Sequence, residues 1–235
     1  MKKCKGNFRV GHFEGCGTEA ESKRTYGLCP KCLYKWTQTT LEGDEWFKKQ
    51  TAYKTQKNKR EKETENRKKT KQAKIELMSN VQYWSKVLQP NINLIARLID
   101  QHNPCIATEN FGKMNGGHYI SVGACRTISL NLHNIFIQSF ESNHFQSGDT
   151  IKYQSGLRRT FGEDYFNWIE GLRKTPSLNI TKIEMKVYNS RAKEIIKELR
   201  QTPNNLRGPL TRINLRNEIN MKLGIYDEQY AVFNP

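Results

Sequence analysis

Residues 48–74 carry 12 Lys/Arg against 3 Glu and almost no apolar side chains. This run limits the possible folds more than any other feature. It holds no Gly or Pro, so it can be helical. The i,i+4 pairs Glu63/Arg67 and Glu65/Lys69 favour a helix. A helix with no apolar stripe has no face to bury, so it cannot pack along its length. Compact structure must therefore be built on either side of it. The expected division is a cysteine-rich module over 1–47, a basic connector over 48–77, a central domain over 78–162 and a helical region over 163–235.

The run supplies +9 of a net charge of +16. Such a surplus points to a polyanionic partner, nucleic acid first and an anionic membrane second. Lys57, Lys59, Arg60, Lys68 and Lys69 are candidate phosphate contacts, giving salt-sensitive binding that does not read sequence. A solvated linker accounts for the same charge. Hydrophobic residues make up 36% of the chain and mean hydropathy is −0.81, so part of it is expected to be extended or solvated. No apolar run approaches the ~18 residues of a membrane span, so no membrane partner is expected. Met1-Lys2-Lys3 leads into a polar stretch containing Cys4, which does not read as an export signal. Six cysteines are then expected as thiols or metal ligands and not as disulfides.

Cys4, Cys16, Cys29 and Cys32 are separated by 11, 12 and 2 intervening residues. The Cys29-Pro30-Lys31-Cys32 knuckle lets two thiolates grip one Zn²⁺. His12 is an alternative fourth ligand in place of Cys4. The module is too short to bury a core without a staple. Four protein ligands would leave no open position, so this zinc is expected to be structural. Leu33, Tyr34, Trp36 and Trp46 read as the start of a short packing helix.

The chemistry is expected between Asn115 and Asp149. His118 stands among glycines, Asn134 follows 16 residues later, and Asn143 and His144 follow 9 and 10 after that. An imidazole, a fixing amide and a ligand pair at these distances fit a ββα-metal nuclease site. His118 would take a proton from water, Asn134 would hold backbone and ring, and Asn143 with His144 would hold a divalent metal. Gly116 and Gly117 would let a phosphate backbone approach. Tyr119–Val122 and Thr127–Leu132 are strand candidates, with His118 at the start of the first. Asn143 would open the next helix, where capping is its alternative role. His102 and His133 are expected at the surface.

Pro90 is expected to open a helix with Ile92, Ile95, Ala96 and Ile99 on its buried face. Three more helices are expected: Glu163–Arg173, one opened by the capping box Thr181-x-x-Glu184, and Leu210–Leu223 stopped by Gly224. Arg207, Arg212 and Arg216 form a basic set, either touching DNA or a solvated face.

Several segments resemble the HNH endonucleases and, within them, the phage NinG/Rap recombination proteins. These are Gly117-His118-Tyr119, the N-x-x-N-I from Asn131 to Ile135, the S-x-x-S-N-H-F-Q from Ser139, and the Y-x-x-G-L from Tyr153 to Leu157. The Cys-Pro-Lys-Cys knuckle and the lysine-rich connector also fit, so the likeness covers most of the chain. It implies an α+β fold with a ββα-metal (HNH-like) core, surrounding helices and a zinc-binding N-terminal element. It implies metal-dependent cleavage of branched DNA, such as Holliday junctions or forks, in the cytoplasm of a phage-infected bacterium. His118 would be the base, Asn134 its orienter, and Asn143 with His144 the ligands of Mg²⁺ or Mn²⁺. A homodimer would suit a symmetric junction. The chain departs from the pattern where relatives carry C-x-x-C: Cys105 is followed by Thr108, and Ser139 and Ser142 replace the second pair. No zinc is therefore expected in the central domain, where Phe136, Phe140 and Phe145 would pack instead and Cys105 and Cys125 would be ordinary thiols. Phe136 also stands where many relatives have His. These departures support an alternative, a non-catalytic, zinc-stapled DNA-binding protein with a decayed nuclease core.

Overall fold

The computed structural model describes residues 2–9, 12–20, 24–145, 149–201 and 207–234, leaving out the side chains of Ala20, His144 and Phe145. The chain divides into two compact units, Met1–Glu76 and Leu77–Pro235.

The first unit begins with two small antiparallel pairs. β1 (Lys2–Lys3) pairs with β4 (Glu19–Ala20), and β2 (Gly6–Asn7) pairs with β3 (Phe13–Glu14). α1 (Pro30–Thr39) starts on the knuckle, with Cys29 as its N-cap and Pro30 in its first turn. Leu28 and Trp36 form a small core with Cys4, Cys29 and the partly covered Trp46. α2 runs unbroken from Leu41 to Glu76, and its one buried residue is Gly43. A Cβ there would meet the Trp36 carbonyl oxygen at 2.2 Å, so glycine is what lets α2 start against α1. Beyond Trp46 α2 is largely solvated, as a helix with no apolar stripe must be.

The second unit opens with one long helical run. α3 (Asn80–Tyr83), capped by a Ser79/Gln82 box, passes into a π-helical turn at Trp84–Leu88 and then into α4 (Gln89–Ile99). Pro90 therefore sits inside a helical run instead of opening one. The π turn precedes it directly, with the Gln89 N–H reaching back to the Trp84 carbonyl. Ile92, Ile95, Ala96 and Ile99 are fully buried, as their spacing predicts.

α4 packs against an antiparallel pair, β5 (Met114–His118) and β6 (Ile135–Ser139), with Met114 opposite Ser139 and His118 opposite Ile135. α5 (Phe140–Phe145) follows β6 and packs on both strands. The strands thus lie outside the expected segments. Tyr119–Val122 is a loop, Thr127–Leu130 and Leu132–Asn134 are 3-10 turns, and His118 ends its strand instead of starting it. The glycines of β5 are also explained differently. A Cβ on Gly116 would lie 2.6 Å from the Asn93 carbonyl oxygen, and one on Gly117 would lie 2.0 Å from Gln138 Oε1. They allow close packing on α4 and β6.

α6 (Thr150–Phe161), α7 (Glu163–Gly171), α8 (Lys182–Gln201), α9 (Pro209–Leu223) and α10 (Glu228–Ala231) complete the unit. Thr181 and Glu184 form the expected reciprocal cap at α8, and α9 stops at Gly224 with φ 67°. The whole is a helix-rich α+β structure. No helix among the described residues is long and apolar enough to cross a membrane.

Two expectations about charge fail here. Arg212 and Arg216 are buried, not displayed, and both pair with the buried Asp100, at 3.5 and 2.8 Å. Arg207 donates to the carbonyls of Leu98 and Ile99 at the end of α4. His133 is fully buried, with its ring nitrogens on Tyr165 Oη and the Ala231 carbonyl, and burial lowers its pKa to about 3. Charge and imidazole in the sequence looked like surface, but each found a partner on a distant element. His102 is exposed, as expected.

Candidate metal centre and histidine site

The sulfurs of Cys4, Cys16, Cys29 and Cys32 all lie within 4.8 Å of one another. Cys16 and Cys29 sulfurs are 3.7 Å apart. Zinc bonded tetrahedrally at ~2.3 Å to each sulfur would space them ~3.8 Å apart. The Cys16–Cys29 pair already has that spacing, and drawing the wider pairs in by up to ~1 Å would complete the set. Gly15 permits it, since a Cβ there would lie 2.1 Å from the Cys4 carbonyl oxygen. The Cys29 backbone N–H donates to Cys4 Sγ at 3.2 Å, and that of Cys32 to Cys29 Sγ at 3.5 Å. Such donors favour thiolates. Hydrogen bonds from Thr18 lower Cys16 to about 6, the Cys32 backbone lowers Cys29, and burial raises Cys32 to about 12. His12 is outside the group, its ring set edge-on to Phe8, so Cys4 is the fourth candidate ligand.

His118 is held at the end of β5 by groups that the sequence did not single out. Its Nε2 lies 2.9 Å from the Ser129 carbonyl oxygen. Only an N–H can donate to a carbonyl, so the proton sits on Nε2 and Nδ1 keeps its lone pair. No described residue hydrogen-bonds Nδ1. Gln89, at the start of α4, donates its amide to the same Ser129 carbonyl at 2.7 Å and to Asn93 Oδ1 at 2.9 Å, and lies 3.2 Å from His118 Nε2. Burial pushes the His118 pKa down, with the Ser129 bond opposing. No local pattern marks Gln89 or Ser129, because their role arises only when α4 meets the 3-10 turn.

Asn134 forms no hydrogen bond with the imidazole. It is fully buried and spans the backbone of Ile120, donating to its carbonyl at 2.9 Å and accepting from its N–H at 2.8 Å. Its own carbonyl accepts from the Tyr119 N–H at 2.9 Å. Asn134 thus latches the chain directly after His118. Asn143 is the fourth residue of α5 and is half-buried. It does not cap, because Ser139 Oγ accepts the Ser142 N–H at 3.2 Å in that role. The His144 side chain lies outside the described residues. Apart from the four cysteines, no three His, Cys, Asp or Glu gather around one point among the described residues.

Phe136 sits opposite Gly117 in the ladder, so it faces away from His118. It packs in the core under the Arg216 guanidinium, 4.3 Å from ring centre, and beside Tyr153, Phe161 and Tyr165. The substituted knuckle positions, by contrast, meet. Cys105 Sγ accepts N–H groups from Thr108 at 3.4 Å and Ser139 at 3.2 Å. Burial raises that thiol's pKa, but these bonds, with the Thr108 side chain, lower it overall. On α2, Lys57, Lys59, Arg60, Lys68 and Lys69 are all exposed. Lys57 and Lys69 reach Glu61 and Glu65, whereas Lys59, Arg60 and Lys68 form no ion pair among the described residues.

No curated protein and no solved structure matches the chain. The family model described as bacteriophage lambda NinG protein matches residues 5–202, from just after the first cysteine of the metal group through the end of α8. Since that span covers most of the chain and includes the latched histidine and its hairpin, the chain belongs to the NinG family, associated with phage recombination.

Proposed function

We propose that the chain is a metal-dependent endonuclease that cleaves branched DNA, a Holliday junction or a fork, through a ββα-metal core made by β5, β6 and α5. The observation that carries the reading is His118. Its Nε2 is committed to the Ser129 carbonyl, its Nδ1 is free to accept a proton, and burial favours the neutral ring. Asn134 acts as the positioning residue by fixing Ile120 two residues beyond. Asn143 and His144 are the metal-side residues, with oxygen and nitrogen donors that suit Mg²⁺ or Mn²⁺. When bound, that ion supplies charge stabilisation at the scissile phosphate. The module over 1–47 holds structural zinc, 48–77 supplies sequence-blind phosphate attraction through Lys57, Lys59, Arg60, Lys68 and Lys69, 78–162 carries the chemistry, and 163–235 buttresses it. A homodimer would match the symmetry of a four-way junction, and the setting is the cytoplasm of the phage host.

One observation favours a second reading, a non-catalytic DNA-binding protein: the cysteines alone form a metal-holding group of His, Cys, Asp or Glu among the described residues. Incubation with labelled four-way, forked and linear DNA, with Mg²⁺, with Mn²⁺ and with EDTA, separates the two. Cleavage of branched DNA that requires the ion is expected. Verified junction binding with no product in either metal would leave only the second reading.

A further inference from the structure

A cavity of about 510 Å³ opens where the long helical run meets the turn that holds His118. Its lining includes Trp84, Arg126, Thr127, Asn179, Thr181 and Met185. That volume is within the ~300–1,000 Å³ typical of sites for small organic groups. Trp84 is only 7% exposed, and its indole N–H is buried with no hydrogen-bond partner. A buried donor without an acceptor is costly, by ~1–3 kcal/mol, so a small turn of the ring that brought it to an acceptor in the cavity would be favourable. The Arg126 guanidinium lies over the Trp84 ring, 5.1 Å from its centre, and Arg126 is itself exposed. Arg126 thus sits against an aromatic ring while remaining exposed to solvent.

Two short connections tie this cavity to the histidine site. Trp84 starts the π turn that ends against Gln89, the residue beside His118 Nε2. Thr127 begins the 3-10 turn whose Ser129 carbonyl accepts from that nitrogen. Five residues of helix span ~7 Å, about two nucleotide steps at ~3.4 Å each. π turns often mark functional sites.

We infer that this cavity receives a single unpaired nucleobase of the DNA, stacked on the Arg126 guanidinium and accepting a hydrogen bond from the Trp84 indole N–H, close to His118. The chemistry is that of a flat heteroaromatic ring with acceptor edges: guanidinium planes and aromatic groups stack bases without reading their identity. Polar Asn179 at the wall suits a base edge better than an aliphatic side chain. The inference rests on the DNA reading above and adds what that reading lacks, a way to prefer DNA with a displaced strand over an unbroken duplex.

The test is binding of the zinc-loaded full chain to a fork with a short single-stranded flap, compared with the same fork carrying abasic flap residues, without added Mg²⁺ or Mn²⁺. Wild-type protein should bind the abasic flap about tenfold more weakly, the loss expected for one stacked base. Arg126→Ala and Arg126→Lys should each erase that difference, the second because it keeps the charge but loses the plane. Trp84→Phe should reduce it. Equal affinity of wild type for the two flaps would overturn the inference. So would a preserved difference in both Arg126 variants, or an equal loss on both flaps, which would make the cavity a backbone phosphate contact. These outcomes do not depend on cleavage. DNA binding without base discrimination defeats this inference alone, whereas no binding to any DNA defeats the proposed function as well.

Discussion

Asp100 and Arg216 meet at 2.8 Å with both side chains sealed from solvent. Asp100 also accepts the Ile137 N–H of β6, and Arg216 donates to the carbonyls of Leu132 and Ile135, on either side of Asn134. One ion pair thus joins the end of α4, the middle of α9 and the strand that follows the Asn134 latch. Removing Asp100 leaves two buried guanidinium charges uncompensated, and removing Arg216 leaves Asp100 with only its 3.5 Å contact to Arg212, at a cost of ~3–5 kcal/mol. Asp100→Asn and Arg216→Met should each lower stability by about that much in urea unfolding, and the double variant should lose less than the sum. Strictly additive losses would show that the pair is not coupled.

His118→Ala should abolish cleavage while junction affinity stays nearly unchanged. In the wild type, cleavage should rise with pH as the ring loses its proton. Burial holds the pKa below the free value of 6.5, so the midpoint of the rise should fall below that pH. A pH–rate profile checks this, and a rise centred well above 6.5 would exclude His118 as the base. Asn134→Ala should slow cleavage less than His118→Ala and cost ~1–3 kcal/mol in stability, because two buried backbone groups of Ile120 lose their partner.

Metal analysis of the purified chain should find about one zinc per molecule, held by Cys4, Cys16, Cys29 and Cys32. Cys29→Ser with Cys32→Ser should abolish it and loosen the Trp36 core that the cysteines join. Full zinc content in that variant would refute the assignment.

The second knuckle gives a gain-of-function test. Cys105 already accepts N–H groups from Thr108 and Ser139, and Ser139 Oγ accepts from Ser142. Donation from the third residue onward to the first is the same pattern as the Cys32 N–H on Cys29 Sγ. The triple change Thr108→Cys, Ser139→Cys and Ser142→Cys should raise zinc from about one to about two per chain. An unchanged content would show that the turns only resemble a site.

Changing Lys57, Lys59, Arg60, Lys68 and Lys69 to Glu should weaken binding to every DNA shape alike and flatten the dependence of affinity on salt. These side chains are exposed on a helix with no core along this stretch, so folding should be unaffected. An unchanged salt slope would reduce the run to a spacer.

Features set by neighbouring residues were legible in the sequence. The Thr181/Glu184 cap, the stop at Gly224 and the buried stripe of α4 all depend on residues within a turn or two of each other. β5 was not legible. Met114-Asn-Gly-Gly-His118 has almost nothing of a strand's composition, and it is a strand because Asn93 and Gln138 fill the space where side chains would be. Thr127–Leu130 has the composition of a strand and becomes a 3-10 turn, because Leu130 is tied through its N–H to Tyr226 and Asn134 is committed to Ile120. His118 and Asn134 were legible as residues. What holds His118, Ser129 and Gln89, was not, nor was the span of Asn134 across Ile120, and the same non-local packing turned His133, Arg212 and Arg216 inward.

The π turn at Trp84–Leu88 sets a limit on how this protein can diverge. It carries one residue more than a regular α-helical turn, which shifts everything beyond it by ~100° around the axis. Substitutions at its solvent-facing positions leave that offset intact, but a one-codon deletion would remove it. Trp84 or Gln89 would then rotate off its present contacts, since the buried stripe beginning at Ile92 can hold only one of them in place. Natural variation in this stretch should therefore appear as changes of residue at constant length.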